Sequence, residues 1–285
     1  MAGSFPSLQP PDTHPAFDDG SHPISVQHSP RQNHLLAALP REDYERLLPA
    51  LEPFALPSGW IVHEAGGCEE YLYFLTAGIV SRFYVTPSGA TAEFAITGNE
   101  GVIGIASFLG GNSTTSRAMV LSAGHSYRLR ADRLHQEFAH DGPLPRLLLR
   151  YTQALIAQIG LTSACKRHHS LEQRLCRWVL SCLDRLPTSE LPITQHLIAD
   201  LLGVRREAVT KAAAGLKRAG LLQFSRGNMV VLDRAGLEAW VCECHAVVKR
   251  EYDRLLAEYR KAEVASWGHP VTRVHVLRHQ TEARV

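Results

Sequence analysis

The residues best equipped for chemistry lie between Leu191 and Leu222. Arg206, Glu207 and Lys211 sit within about two turns of a segment with helical period, offering a guanidinium fork, an acceptor-only carboxylate and an ammonium side by side. These groups match the edges that base pairs present in a major groove. Arg206 can donate to O6 and N7 of one guanine, Glu207 can take the N4 donor of cytosine, and Lys211 can reach a guanine edge or a phosphate. Thr194, Arg205, Thr210, Lys217 and Arg226 surround them with hydroxyls and cations suited to phosphate oxygens. The plainer alternative is a solvated amphipathic helix on which Arg206 and Glu207 form a surface ion pair of little worth.

Such residues need elements to aim them. Thr194 can cap a short helix holding Leu197, Ile198, Leu201 and Leu202; Gly203 supplies a turn, and a second helix runs from about Arg205 to Arg218. At about 100° per residue, Val209, Ala212, Ala213 and Leu216 share one face of it, and Arg206, Glu207, Thr210, Lys211, Lys217 and Arg218 the other. This spacing is that of a helix-turn-helix. Leu221 to Phe224 and Met229 to Leu232, joined by Ser225 to Asn228, read as a hairpin directly after it, which makes the unit winged. Residues 166–233 carry eleven Lys and Arg against six acids, although the whole chain is only +2. That asymmetry is the electrostatic footprint expected for double-stranded DNA.

Other candidate chemistry is sparse. The six cysteines include no C-x-x-C pair, so neither a disulfide framework nor a structural zinc site is expected, and the cysteines read as reduced core residues. Cys242 and Cys244 fall in an expected helix from Leu237 to Tyr259, where i and i+2 point about 200° apart and cannot hold one metal unless the helix is broken. His245 does not rescue that geometry. His275 and His279 have the i, i+4 spacing of helical metal ligands, within a tail that reads as disordered. No cofactor and no metal are therefore expected. A cupin-like barrel enzyme is the rival reading, yet no His-x-His pair occurs, His63 and His125 stand alone, and there is neither a nucleophile elbow nor a phosphate-binding Walker pattern. A third reading is a ligand-binding module that does not read DNA.

At 285 residues with 45% hydrophobic content, the chain can bury ordinary cores, and two modest domains are expected. No run approaches a membrane helix and no signal peptide opens the chain, so a cytoplasmic protein is expected. Residues 1–32, rich in proline, read as a disordered arm. Leu35 to Leu51 suggests short helices broken by Pro40 and Pro49. From Pro57 to Arg130, short β-like runs (60–63, 71–75, 79–85, 91–96) separated by glycines predict an antiparallel barrel or sandwich, bounded at 33–142. A helical stripe through Leu144, Leu148, Tyr151, Leu155, Gln158 and Thr162 predicts a helix over 143–168 with a coiled-coil seam of those six residues. The winged domain follows at 169–235, a C-terminal helix at 236–262 and a disordered tail at 263–285.

In this order, barrel, long helix and winged helix-turn-helix resemble the Crp-Fnr family of bacterial transcription regulators. The resemblance is carried by Gly59-Trp-Ile-Val-His-Glu-Ala-Gly66, Tyr71-Leu-Tyr-Phe-Leu75 and Gly78-Ile-Val80 in the barrel, and by Gly203-Val-Arg-Arg-Glu-Ala-Val209 in the reader helix. It implies an α+β chain with an antiparallel β jelly-roll barrel. It also implies a homodimer on a palindromic DNA site, RNA polymerase as a partner if the protein activates, and a small-molecule effector of unknown identity. The cyclic-nucleotide members of that family place a Glu on the ribose and an Arg on the phosphate. Here Ile105 stands where the Glu would be, and the stretch from Gly104 ends in Ser116-Arg117-Ala118, leaving Gly104, Ser116 and Arg117 as a candidate effector or anion loop. The oxygen-sensing members hold iron and sulfur on N-terminal cysteines, but no cysteine precedes Cys68. Arg205 departs from the resemblance, which would place a small capping hydroxyl there.

Overall fold

The computed structural model describes residues 29–140, 142–225 and 227–266, with side chains as far as Leu256. The expected arm therefore falls outside the described residues except at its end, where the structure corrects it: Ser29 caps a 3-10 turn, Pro30–Gln32, and Pro30 is buried. Asn33 then caps α1 (His34–Ala37) with its side-chain oxygen, while its amide donates to the carbonyls of Leu75 and Gly101 at 2.9 Å each. One buried side chain thus ties the entry helix to the barrel. α2 (Arg41–Leu47) follows Pro40, whose fixed φ suits a helix start.

The barrel comprises β1 (Glu52–Leu56), β2 (Ile61–His63), β3 (Tyr71–Val85), β4 (Thr91–Thr97), β5 (Val102–Ile103) and, after the short α3 (Ala106–Leu109), β6 (Arg117–Arg130). All pairings are antiparallel, in the order β1-β6-β3-β4 with β2 on β6 and β5 on β3. The two runs read separately at 71–75 and 79–85 are one long strand. Its pairing with β6 shifts register around Ala77 and Gly78, where Gly78 has φ +85°. A Cβ on Gly78 or Gly124 would run into the facing backbone, so glycine is what lets the two strands bend together at this corner.

α4 (Ala131–Ala139) follows β6 and packs against β3, β6 and α3, and α5 (Pro143–His168) runs along the barrel against β4. Tyr151 is fully buried, its hydroxyl 3.1 Å from both Thr97 Oγ1 and the Val102 carbonyl. The expected seam is corrected here. Leu144, Leu148, Tyr151, Leu155, Gln158 and Thr162 are all buried within the chain itself. Leu144, Leu148, Tyr151 and Leu155 pack into the core with barrel residues such as Leu72 and Phe74, the Gln158 amide donates to the Ile96 carbonyl, and the Thr162 hydroxyl accepts from Arg177.

A capping box of Ser170 and Gln173 starts α6 (Leu171–Leu183), and β7 (Glu190–Leu191), α7 (Gln195–Leu202), α8 (Arg206–Arg218), β8 (Leu222–Ser225) and β9 (Asn228–Val231) complete a winged helix-turn-helix. The wing has three strands, β7-β9-β8, one more than the hairpin read from sequence. The C-terminal helix is also corrected. It is two helices, α9 (Arg234–Trp240) and α10 (Cys244–Ser266), with Val241 extended between them. α10 therefore continues past the expected start of the tail. It lies against α5, where the Tyr252 hydroxyl donates to Gln158 Oε1 at 3.1 Å. Among the described residues no helix is long and apolar enough to cross a membrane.

Candidate nucleic-acid interface and effector pocket

The reader helix is built from its buried side outward. Val209, Ala212, Ala213 and Leu216 are each at most 2% exposed and share a core with Ile198, Leu201 and Leu202 of α7. Gly203 adopts φ +67°, ending α7 in the left-handed conformation and turning the chain into α8. With that face fixed, Arg205, Arg206, Glu207, Thr210, Lys211 and Lys217 are exposed. Among the described residues neither Arg206 nor Glu207 takes part in a salt bridge, so the surface-pair alternative has no counterpart in this geometry. Arg205 is the N-cap of α8 and makes no side-chain capping bond, which leaves a cation at the positive end of a helix dipole.

Thr194 caps α7 by accepting from the Leu197 amide at 3.2 Å. Gln195, which the sequence reading passed over, accepts from Thr210 Oγ1 at 2.8 Å and so fixes that hydroxyl between the two helices. Only tertiary packing could reveal it, because the partners are a turn-crossing apart. Arg226, expected on the DNA backbone, lies outside the described residues.

The unit docks on the barrel through β4. Trp178 Nε1 of α6 donates to Glu93 Oε1 at 2.9 Å, Ser81 Oγ donates to Glu93 Oε2 at 2.6 Å, and Lys166 Nζ donates to the Glu93 carbonyl at 2.7 Å. Burial pushes the Glu93 carboxyl up to about 7, although Ser81, Arg177, Lys166 and Trp178 all favour its charged form.

The candidate effector loop is spoken for internally. Arg117 Nε donates to Glu64 Oε2 at 2.6 Å, and the Ser116 hydroxyl lies 3.0 Å from Thr114 Oγ1. The Ala106 amide at the start of α3 donates to Glu69 Oε2 at 2.6 Å. Ile105, like Phe108 and Phe138, is partly buried and packs against the core that includes Leu72 and Leu134. Beside it lies a cavity of about 200 Å³ lined by His63, Glu69, Tyr71, Tyr73 and Gly104. His63 Nδ1 is 3.2 Å from Glu69 Oε1, and its Nε2 is buried with no partner. Burial, helped by the Arg82 guanidinium, pulls the His63 imidazole down to about 4, and burial raises the Glu69 carboxyl. The sequence had marked Gly104 and Arg117 here but not the His63 and Glu69 pair, whose members meet only because β2 and the segment before β3 converge.

An antiparallel, barrel-like jelly roll whose end strands β1 and β4 do not pair, followed by a long helix and a winged helix-turn-helix, defines a sensor-like barrel joined to a DNA-binding module. Residues 54–141 match the cyclic nucleotide-binding domain family and residues 173–240 the Crp-like helix-turn-helix domain; the chain belongs to the Crp-Fnr family of transcription regulators. Similar proteins include the CRP-like cAMP-activated global transcriptional regulator of Mycobacterium tuberculosis, 24% identical over 64% of this chain and 85% of the relative. The global nitrogen regulator of a Nostoc species is 23% identical over 58% of this chain and 78% of its own. Among solved structures, FixK2 from Bradyrhizobium japonicum aligns with a TM-score of 0.58 at 18% identity, over 67% of this chain and 98% of that one. TTHB099, a CRP-family transcriptional regulator from Thermus thermophilus, aligns at 0.54 and 23% identity, over 66% and 95%.

Proposed function

We propose that this regulator acts as a homodimer on an inverted-repeat DNA site, with Arg206, Glu207 and Lys211 reading base edges. Thr194, Arg205, Thr210, Lys217 and Arg226 hold the phosphate backbone. The observation that carries this reading is the exposed polar face of α8, presented by a fully buried opposite face. The dimer forms on the side of α5 that the chain leaves open. Leu149 is 52% and Ile156 63% exposed, and Arg146, Leu149, Gln153, Ile156, Gly160, Ser163 and Arg167 recur at alternating steps of three and four along it. That spacing is a coiled-coil seam, and Gly160 permits close approach. Two reader helices held this way enter successive major grooves, so half-site centres stand about 34 Å apart.

The barrel is a sensor whose pocket does not take a cyclic nucleotide. Ile105 cannot accept a ribose hydrogen bond, Arg117 is paired with Glu64, and the cavity is below the roughly 300–1,000 Å³ of ordinary ligand sites. RNA polymerase is the further partner if the protein activates. Binding-site selection from random duplex DNA tests the function: a dyad-symmetric consensus is expected, and an optimal site without symmetry would refute it.

A further inference from the structure

Four potential metal ligands meet at the point where the chain enters and leaves the DNA-binding unit. Cys165 and His169 sit in the last turn and at the C-cap of α5; Cys242 and Cys244 sit in the break before α10 and at its first residue. Their ligand atoms all lie within 4.8 Å of one another. Cys165 Sγ is 3.6 Å from Cys242 Sγ, and Cys244 Sγ is 3.7 Å from His169 Nδ1. The break is what allows this. In a continuous helix, positions i and i+2 point apart; here Val241 is extended and Glu243 lies in a turn, so Cys242 and Cys244 are not successive positions of one helix.

The dimensions select the ligand. With Zn–S near 2.3 Å and Zn–N near 2.05 Å, a tetrahedral site has S···S edges of about 3.8 Å and S···N edges of about 3.6 Å. A disulfide needs about 2.05 Å between sulfurs, so Cys165 and Cys242 are not bonded. A polynuclear iron–sulfur cluster needs its thiolates spread around several irons, wider than this set. The imidazole is also oriented: Nδ1 faces the thiols, while Nε2 lies 3.3 Å from Glu243 Oε1, the arrangement in which a carboxylate fixes the tautomer of a metal-binding histidine.

We propose that Cys165, His169, Cys242 and Cys244 form a structural Cys₃His zinc site. The two ligand pairs bracket residues 171–240, so one ion ties the entry of the DNA-binding unit to its exit and anchors α10 against α5. The proposal stands independently of how the reader helix contacts DNA, and its test needs no DNA.

Elemental analysis of the full-length chain, purified under reducing conditions, is expected to show about one zinc per chain. Replacing it with Co²⁺ should produce the intense visible bands of tetrahedral thiolate coordination. Cys244→Ser should drop the metal content to near zero, Cys68→Ser should leave it unchanged, and Glu243→Ala should keep the stoichiometry while weakening affinity about 10- to 100-fold. If Cys244→Ser does not fold, wild-type stoichiometry and the Co²⁺ spectrum decide. Protein that carries no zinc and gives no tetrahedral Co²⁺ spectrum overturns the proposal. So does full zinc retention in folded Cys244→Ser, or the broad visible absorption of an iron–sulfur cluster.

Discussion

Arg206 and Arg205 are neighbours to which the proposed DNA complex gives different work. Arg206 occupies the first turn of α8 with its guanidinium unpaired, where a bidentate contact to one guanine is worth roughly 1 to 3 kcal/mol. Arg206→Ala is therefore expected to lose about that much on the selected site and to relax preference at one position, measured by competition with single-base variants. Arg205 gains from a phosphate beside it, because only an anion offsets a cation at a helix N-terminus. Arg205→Ala should weaken all sequences alike and reduce the slope of log K against log salt by about one contact. If Arg205→Ala changes the preference and Arg206→Ala does not, the roles are reversed. The exposure of both residues was legible in the sequence, since a turn glycine and an apolar period fix the face locally. Gln195 was not, because its partner Thr210 lies across the turn.

At the scale of elements, α5 shows how a helix can mislead. It carries apolar residues on two sides, and periodicity picked the stripe that packs on its own barrel rather than the one left open. Ile156→Glu should convert a dimer into a folded monomer in sedimentation at micromolar concentration, whereas Leu148→Glu, at a fully buried position, should unfold the chain. A dimeric Ile156→Glu protein would remove this seam. The contact between β4 and α6 makes a pH prediction. Glu93 titrates at about 7 in the fold against 4.5 ordinarily, so the folded state holds a proton that the unfolded chain has released. Stability from this group is complete below pH 4.5 and declines as pH rises through the window from 4.5 to 7, by about 3 kcal/mol in all. Lys166, Arg177, Ser81 and Trp178 are the groups that face it. Glu93→Gln should remove most of that slope in chemical denaturation between pH 5 and pH 8; an unchanged slope would show that Glu93 does not carry it.

For the whole molecule, the barrel and the DNA-binding unit share one apolar core, in which Ile79, Phe83 and Met119 of the barrel meet Trp178, Ile198 and Leu202. A ligand that changed the barrel would act directly on the reader unit through this contact. Cyclic AMP is not expected to be that ligand. A true binder at a hundredfold excess over Kd gains about 2.7 kcal/mol of stability, enough to move Tm by several degrees, and here Tm should move by less than about 1 °C. A larger shift in a thermal melt would reinstate cyclic-nucleotide binding. The fold class was legible at this scale because strand runs, glycine turns and a change of period from two to 3.6 are each local signals.

By itself the sequence determined the order of barrel, long helix and winged helix-turn-helix, the buried and exposed faces of α8, and the absence of a carboxylate at Ile105. Those properties depend on residues a few positions apart, where spacing and side-chain type suffice. Tertiary structure alone decided which side of α5 stays open, that His63 meets Glu69, that Glu93 is buried beneath Trp178, and that Cys165 and His169 converge with Cys242 and Cys244. Each of the last three brings together residues from separate elements, and the last also needs the helix broken at Val241, where neither proline nor glycine announces a stop. Contacts of that kind are set by how finished elements pack, and no local period encodes them.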